Sequence, residues 1–268
     1  MDTASISPKD VMALRQRTGL GMMDCKKALA DAGGDMTAAE NLLRERMKGK
    51  MDARTDRPAG EGCIVVAMSG SKAAILEVRA ETDFTARNDA FRAMADSIAN
   101  MSLEQPAGEV SATEAMTKRL DDVRLTTGEN ISLARGHRID GGSFGHYIHH
   151  DGKLGVLLQV EGEIPGDVLT GICQHVAAHV PTPLAVDEHG LDAASVAAKR
   201  AEAEAEAAAS GKPPEIATKI AEGKVRKFFE ENTLLGQRFV RDDSKQVREL
   251  LPKGAKILSF TRFAVGGG

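Results

Sequence analysis

The first fifty residues place apolar side chains three and four positions apart, in three stretches that glycines separate. This spacing puts the apolar side chains on one face of a helix and predicts a compact unit of three amphipathic helices over residues 5–50. Ser7 and Pro8 favour the start of the first helix, the glycines of residues 18–21 favour its end, and Asp35 can cap the third. The expected buried faces are formed by Val11, Leu14, Cys25, Ala28, Leu29, Met36, Ala39, Leu42, Leu43 and Met47.

Residues 48–61 contain almost no aliphatic side chain, so we predict a linker there. Beyond it the pattern changes to the short apolar runs that are typical of β-strands. Residues 63–78 predict a β-hairpin, which is followed by a predicted helix over residues 88–101. The same order of hairpin and helix returns at residues 147–160 and 169–180, which indicates an internal duplication.

The two copies differ in the length of the connection between the hairpin and the helix. When Val78 is aligned with Val160, and Met94 with Ile172, the connection spans 16 residues in the first copy and 12 in the second. The four extra residues fall within residues 81–86. Because insertions between shared elements are common places for function, this segment is a candidate site.

Residues 192–209 consist mainly of alanine and glutamate, a composition that strongly favours a helix. A Gly-Lys-Pro-Pro turn at residues 211–214 separates it from a second predicted helix over residues 215–231. Together they predict an antiparallel helical hairpin, whose faces pack either on each other or on a second copy of the chain. A last strand is predicted over residues 255–265. The apolar stripe of the second helix is formed by Ile216, Ile220, Val225 and Phe228.

The composition is that of an ordinary globular chain of roughly two domains, with 268 residues, 42% hydrophobic and 28% charged. A net charge of -4 and the absence of Trp argue against nucleic acid as a partner. No apolar run approaches the roughly 18 residues of a membrane span, and the N-terminal residues do not resemble a secretory signal. The three cysteines are far apart and odd in number, which favours a cytoplasmic protein without a disulfide framework.

A search for catalytic motifs yields only one weak candidate. No Gly-Lys pair is followed by Ser or Thr, as a phosphate-binding loop requires, so we predict that the chain binds no nucleotide itself. His175 and His179 are four residues apart on a predicted helix, the spacing of a helical metal site, and a metal-dependent enzyme is therefore one hypothesis. The segment between them lacks the glutamate of an HExxH hydrolase, which favours ordinary polar histidines without a metal.

Two loops present apolar side chains outside the predicted helices and strands. After the first helix, Leu20 and Met22 either pack beneath their own helices or contact another protein, since methionine is common on protein-binding surfaces. In the inserted segment, spacing alone favours Asp83 as the cap of the following helix and Phe84 as an apolar residue that packs against it.

Several long motifs resemble those of a known protein family. Residues 14–29 and 77–88 resemble the two signature motifs of bacterial elongation factor Ts. Residues 147–149, 155–157 and 219–240 resemble further blocks of that family in the expected order. The resemblance implies an α+β fold with a UBA-like three-helix domain at the N-terminus, a duplicated core of β-hairpins and helices, and a protruding antiparallel coiled-coil hairpin.

The resemblance also implies domain boundaries. The UBA-like domain is expected at residues 1–54 and the N-terminal subdomain of the core at residues 55–142. The C-terminal subdomain of the core is expected at residues 143–190 and again at residues 233–268, which include the tail. The helical hairpin is expected between these two parts, at residues 191–232.

The family binds elongation factor Tu and releases its GDP, so the resemblance implies an exchange factor without catalytic residues, cofactor or metal of its own. By family analogy, four residues intrude beside the partner's nucleotide site and dislodge Mg²⁺. These residues are Thr82, Asp83, Phe84 and Thr85. The residues that the analogy assigns to partner binding are Leu20, Gly21, Met22, Met23, Asp83, Phe84 and His149.

Two features depart from the family pattern. We call residues 82–85, which intrude beside the partner's nucleotide site by family analogy, the wedge. Thr85 stands where the family usually has valine, and we expect this difference to weaken the action of the wedge. The chain also stops at Gly268, without an additional helix that some members use as a partner contact. Since the helical hairpin mediates dimerisation in some members, a homodimer is a further expectation. A purely structural dimer without exchange activity is the third hypothesis.

Overall fold

The computed structural model describes residues 6–52 and 56–267, and for residues 48–52 it describes the backbone alone. The fold is mixed α+β, with three helices at the N-terminus and antiparallel strands after them, as expected. The chain divides into two compact units. The first unit contains the described residues of 1–67, 76–138 and 264–268, and the second contains residues 68–75 and 139–263.

Three helices form the N-terminal part of the first unit, as predicted, and their buried side chains form a small core of their own. They are α1 (Pro8–Thr18), α2 (Met22–Asp31) and α3 (Met36–Asp52). The Ser7 hydroxyl accepts a hydrogen bond from the Lys9 amide at 3.1 Å and caps α1. The Asp35 carboxylate caps α3 in the same way, by accepting a hydrogen bond from the Ala38 amide at 2.8 Å.

The predicted linker at residues 48–61 is wrong in its first part, because α3 continues to Asp52. Lysine and methionine favour helices, and the first proline that would stop one is Pro58. A shortage of aliphatic side chains is therefore a weaker sign of a helix end than a proline. Residues 53–55 lie outside the described residues, and with them the predicted boundary at residue 54.

The first hairpin and its helix form as predicted. The elements are β1 (Glu61–Ser69), β2 (Lys72–Ala80), the one-turn helix α4 (Asp83–Arg87) and α5 (Asp89–Ser102). Strands β1 and β2 are hydrogen-bonded neighbours. The predicted inner face of α5 is buried, with Phe91, Ala95 and Ile98 fully excluded from solvent. The insertion that distinguishes the first copy is thus a separate helical turn between β2 and α5.

Three elements of the first unit were not predicted. They are β3 (Gly108–Glu109), α6 (Glu114–Thr127) and β4 (Ser132–Asp140). Helix α6 buries only Met116, Leu120 and Val123, so its apolar periodicity is sparse. Strand β4 pairs between β2 and β3, which gives the sheet the order β1-β2-β4-β3.

The second copy lies in the second unit and also has the predicted elements. They are β5 (Ser143–Ile148), β6 (Leu154–Glu161) and α7 (Gly166–Ala178). Strands β5 and β6 are antiparallel, with Tyr147 opposite Val156. Helix α7 begins three residues before the predicted residue 169, and it buries Ile172, Cys173 and Val176 as predicted.

Two long helices follow, joined by four residues, and they pack on each other. They are α8 (Ala193–Ala209) and α9 (Pro214–Asn232). Their contact is made of small side chains, because Ala203 and Ala207 of α8 and Ala221 of α9 are buried together. The alanine-rich face of α8 is therefore satisfied within the chain, one of the two alternatives that the pattern left open. None of the helices in the described residues is long and apolar enough to cross a bilayer.

The last strands complete the second unit. They are β7 (Arg238–Phe239), β8 (Asp242–Gln246) and β9 (Lys256–Ala264), the last of which was predicted. Strand β9 joins the second hairpin to give the order β5-β6-β9, and β7 pairs with β8. In both larger sheets a later strand pairs with the second strand of the hairpin, as β4 does with β2 and β9 with β6. This shared topology supports the duplication that the sequence pattern indicates.

Candidate functional site

The inserted turn after β2 presents one aromatic side chain to solvent. Phe84 is 85% exposed, whereas its neighbours Thr85 and Ala86 are 7% and 3% exposed. The turn is capped by Thr82, whose hydroxyl oxygen accepts a hydrogen bond from the Thr85 amide at 3.3 Å. The buried side of the turn thus holds it to the protein, while Phe84 projects from the other side.

The arrangement that spacing alone favoured for this turn is wrong. Thr82 occupies the N-cap position, and Asp83 is the first helical residue. The Asp83 carboxylate lies 3.3 Å from the Arg87 guanidinium, in an ion pair with both side chains well exposed. Phe84 is too exposed to pack against the following helix. A position next to a helix start therefore does not by itself predict that an apolar side chain packs on that helix, because the backbone can direct the side chain outward.

A carboxylate that sequence reasoning missed holds the base of the turn. Glu129, which follows Thr82 by 47 residues in the sequence, accepts two hydrogen bonds from Thr82. One comes from the Thr82 hydroxyl at 2.6 Å, and the other comes from the Thr82 amide at 3.1 Å. The one sequence signal near Glu129 was Gly128, which predicts the end of a helix. Gly128 ends α6 in the left-handed conformation, with φ of 73°. Nothing in the sequence connects that helix end to Thr82.

A second carboxylate makes the reverse contact between the same two segments. Glu81 accepts a hydrogen bond from the Asn130 amide at 2.7 Å, and its other oxygen lies 3.6 Å from the Arg57 guanidinium. The Asn130 side chain in turn donates to the Arg57 carbonyl at 2.8 Å. Each segment therefore supplies a carboxylate to a backbone amide of the other.

The loop between α1 and α2 divides its apolar side chains between the core and the surface. Leu20 is 6% exposed and belongs to the core of the three helices, whereas Met22 and Met23 are 46% and 75% exposed. The backbone reverses at Gly19, whose φ of 69° suits glycine, and Gly21 precedes α2. Leu20 thus packs beneath its own helices, whereas Met22 and Met23 at the start of α2 are exposed. Partner binding by Leu20, Gly21, Met22 and Met23 stays a prediction.

The three helices also contact α6 within the first unit. The Arg44 guanidinium of α3 lies 2.8 Å from the Asp122 carboxylate of α6. A Cβ atom at Gly19 would lie 2.9 Å from Cγ2 of Thr126, so glycine permits this close approach. The same helix α6 therefore contacts the loop that carries the exposed methionines and ends beside Glu129.

His149 lies just after β5, at the tip of the second hairpin. Its Nδ1 atom is 2.9 Å from the Tyr147 hydroxyl, and the centre of its ring lies 4.3 Å from that of the tilted His150 ring. The side chain is half-buried. The hydrogen bond and the neighbouring ring restrict the orientation of the imidazole. Its predicted contact with a partner stays a prediction.

The two histidines that suggested a metal site both contact groups of their own chain. His179, which follows α7 directly, has its Nδ1 atom 3.0 Å from the Pro181 carbonyl oxygen. His175 is fully buried, its Nδ1 atom accepts a hydrogen bond from the Val240 amide at 3.1 Å, and its Nε2 atom lies 3.0 Å from the Gln237 side-chain oxygen. Burial lowers the pKa of His175 to about 4, so the ring is neutral near pH 7. Since both nitrogens have protein partners, His175 has no lone pair to offer a metal ion. The buried His175 of the predicted pair therefore serves the packing of the fold.

Other groups with potential chemistry are buried as well. Burial raises the pKa of the Cys63 and Cys173 thiols to about 12, which makes both thiols unreactive near neutral pH. Cys25 is also buried, with its sulfur 3.7 Å from the Thr18 hydroxyl. Among the side chains of residues 6–47 and 56–267, no three of His, Cys, Asp or Glu are grouped as a metal site would require.

The chain is similar over nearly its whole length to proteins of one family. Residues 81–267 match the model of the family described as elongation factor TS. The elongation factor Ts of Zymomonas mobilis is 40% identical over 99% of this chain and 94% of its own length. The proteins of the same name from Methylococcus capsulatus and Thiobacillus denitrificans are 40% and 41% identical, over 98% and 99% of this chain and 93% of each relative.

Proposed function

Because the chain belongs to the elongation factor Ts family of translation factors, we propose that it binds elongation factor Tu and promotes the release of GDP. Phe84 and its neighbours enter the partner beside the nucleotide, displace Mg²⁺ and distort the nucleotide site. GTP then binds the emptied partner. The observation that supports this proposal most directly is the exposure of Phe84, at 85%, on a turn that the buried Thr85 and Ala86 and the hydrogen bonds of Thr82 hold to the protein.

The energies of the proposed mechanism are sufficient. Burial of a phenylalanine side chain in a partner contributes about 1.5–3 kcal/mol. A thousandfold acceleration of GDP release requires the barrier to fall by about 4 kcal/mol. The loss of the Mg²⁺ that neutralises phosphate charge supplies the remainder. Because linkage is reciprocal, a factor that prefers the empty partner lowers the partner's affinity for GDP by the same ratio. None of these steps needs a catalytic acid, base, cofactor or metal in this chain.

Separate parts of the chain hold the partner while the wedge acts. Met22 and Met23, which project from the start of α2, form one contact, and the buried Leu20 beside Gly21 fixes their position. His149 forms another contact through the ring that Tyr147 orients. Thr85 is buried, so its side chain acts by shaping the turn and not by direct contact. Thr82 also shapes the turn, whereas the exposed Asp83 side chain contacts the partner beside Phe84.

The proposed organisation follows the family. Residues 1–54 form the UBA-like domain, residues 55–142 form one core subdomain, and residues 143–190 with 233–268 form the other. Helices α8 and α9, within residues 191–232, form a coiled-coil hairpin, and a homodimer would use this module. The support for a dimer contact is Ile216, which is 47% exposed on α9. The protein acts in the cytoplasm, where elongation takes place, without binding nucleic acid, membrane or nucleotide itself.

The release of a fluorescent GDP analogue from elongation factor Tu tests this function. We expect the chain to accelerate release strongly when Mg²⁺ is present. We expect a much smaller acceleration after chelation of Mg²⁺, because the ion that the wedge displaces is then already gone. Val180→Ala provides a control, since Val180 is 88% exposed but lies outside the proposed contacts. A folded sample that does not accelerate release from an active partner would contradict the proposal.

A further inference from the structure

We propose that Glu129 is a positioning residue for exchange, which orients Phe84 through Thr82 without contact with the partner. The inference rests on the proposed function, because Phe84 must act as the wedge for its orientation to matter. Glu129 lies outside the segment that carries Phe84 and is 47 residues from Thr82 in sequence. It is the residue of α6's C-terminal loop that binds both polar groups of Thr82.

The hydrogen bonds around Thr82 fix the direction of its hydroxyl group. A threonine hydroxyl has one hydrogen to donate and two lone pairs to accept with. The Glu129 carboxylate takes that hydrogen at 2.6 Å, so a lone pair of the same oxygen remains for the Thr85 amide at 3.3 Å. The charge of Glu129 therefore sets the geometry of the cap as well as the position of Thr82.

Phe84 depends on this backbone because its side chain makes little contact with the protein. At 85% exposure, it has no packing that would hold it in one direction. It lies between Thr82 and Thr85, the two residues that the cap connects. A shift of the cap therefore moves Phe84 with it, because no other contact opposes the movement. A wedge that is not pre-oriented must be ordered in the complex, and this ordering costs binding free energy.

The segment that supplies Glu129 is itself held in place. The Glu129 amide donates to the Thr127 hydroxyl at 3.3 Å, and the next amide, that of Asn130, donates to Glu81 at 2.7 Å. Residues 81–82 and 129–130 thus form a reciprocal clasp, in which each segment gives one carboxylate to an amide of the other. A paired arrangement of this kind resists rotation better than a single contact would.

Exchange kinetics with graded variants test the role of Glu129. In Glu129→Gln one of the two acceptor oxygens becomes a donor, and in Thr82→Val the hydroxyl is lost at nearly constant shape. For each variant we expect the maximal rate of GDP release to fall about tenfold, the change that the loss of one charged hydrogen bond produces. The concentration for half-maximal rate should change less than about twofold, because the other partner contacts remain. Thr82→Ser keeps the hydroxyl and should retain the wild-type rate.

The combination of variants distinguishes a clasp from a general loss of stability. Glu129→Gln combined with Thr82→Val should be no slower than the slower single variant, since both remove the same interaction. Glu249→Gln is the matched control, because it changes a glutamate that accepts a hydrogen bond from the Gln246 amide outside the proposed contacts. An equal fall in the control, or strictly multiplicative effects of the two clasp variants, would overturn the proposal.

A second measurement does not depend on the partner. The chain contains no Trp, so Phe84→Trp introduces a single fluorescent reporter at the wedge. We expect Glu129→Gln in this background to lower the time-resolved anisotropy of the indole, because the turn becomes mobile. Unchanged anisotropy would overturn the positioning role, as would a wild-type release rate in Glu129→Gln while Phe84→Ala slows release. A wild-type chain that fails to accelerate release overturns the proposed function before any variant is compared.

Discussion

The two copies of the hairpin-and-helix unit place their connecting apolar residue in opposite ways. After β6 the chain runs directly to α7, and Ile164 packs against the core of its own unit. After β2 the chain makes an extra helical turn, and Phe84 projects into solvent. The second copy shows what the connection does when it serves only the fold. The first copy gives up that packing, and this departure supports the proposal that its segment acts on another molecule.

The first prediction extends the comparison to the loop between α1 and α2, where the largest effect is expected. Leu20→Ala should lower the free energy of unfolding by about 2–5 kcal/mol, because Leu20 is buried among the three helices. Met23→Ala should change it by less than about 0.5 kcal/mol, since Met23 is 75% exposed. Urea denaturation of both variants measures the difference.

The same two variants distinguish a residue that stabilises the fold from a residue that contacts the partner. Met23→Ala should weaken binding to elongation factor Tu, as measured by titration calorimetry, although it leaves stability unchanged. Equal losses of stability in the two variants would remove the contrast between a buried and an exposed residue in this loop.

The second prediction concerns pH and separates the two copies. His175 of α7 aligns with Ser97 of α5, so only the second copy contains a buried imidazole. Its pKa is lowered to about 4, below the unfolded value of 6.5. The stability that depends on neutral His175 is therefore fully present above pH 6.5 and is lost as the pH falls through 4. The loss amounts to at most about 3 kcal/mol.

Denaturation of wild type and His175→Asn at a series of pH values between 7.5 and 4 tests this assignment. The variant should be less stable at pH 7.5 and should lose less stability on acidification. His189→Asn, which changes an 86% exposed side chain, is the control and should keep the wild-type slope. If His175→Asn also keeps the wild-type slope, the buried histidine is not the group that titrates.

The third prediction compares the two connections directly and has the smallest expected effect on stability. Ile164→Ala should lower the free energy of unfolding by about 1–2 kcal/mol, because the side chain is only partly buried. Phe84→Ala should lie within about 0.5 kcal/mol of wild type. Thermal unfolding of both variants measures this. A marked destabilisation by Phe84→Ala would mean that Phe84 packs within its own chain after all.

Apolar periodicity predicted most of the helices and strands. It did not predict the elements that are held by contacts between residues distant in sequence. The three N-terminal helices, both hairpins and the helices after them follow from apolar spacing. Helix α6 was missed because only three of its side chains are buried, and β4 because it carries polar residues such as Arg138. Arg138 is tolerated in that strand because its guanidinium donates to the Leu103 carbonyl at 3.0 Å, a partner that spacing does not reveal.

The candidate site was predictable in position but not in geometry. The insertion was visible as four extra residues, and the family resemblance named Phe84. The exposure of Phe84 was not predictable, since the same residues fit a helix cap with a packed aromatic. The support from Glu129 depends on a side chain that meets a backbone amide 47 residues away, and no local pattern encodes such a contact.

The central claim is that the first connection acts on a partner and the second serves the fold. The most direct test measures GDP release from elongation factor Tu with Phe84→Ala and Ile164→Ala, at a temperature where both variants are folded. We predict that Phe84→Ala slows release about 10- to 100-fold, the equivalent of about 1.5–3 kcal/mol, and that Ile164→Ala stays within about twofold of wild type. Equal rates for wild type and Phe84→Ala, or an equal loss in both variants, would contradict the claim.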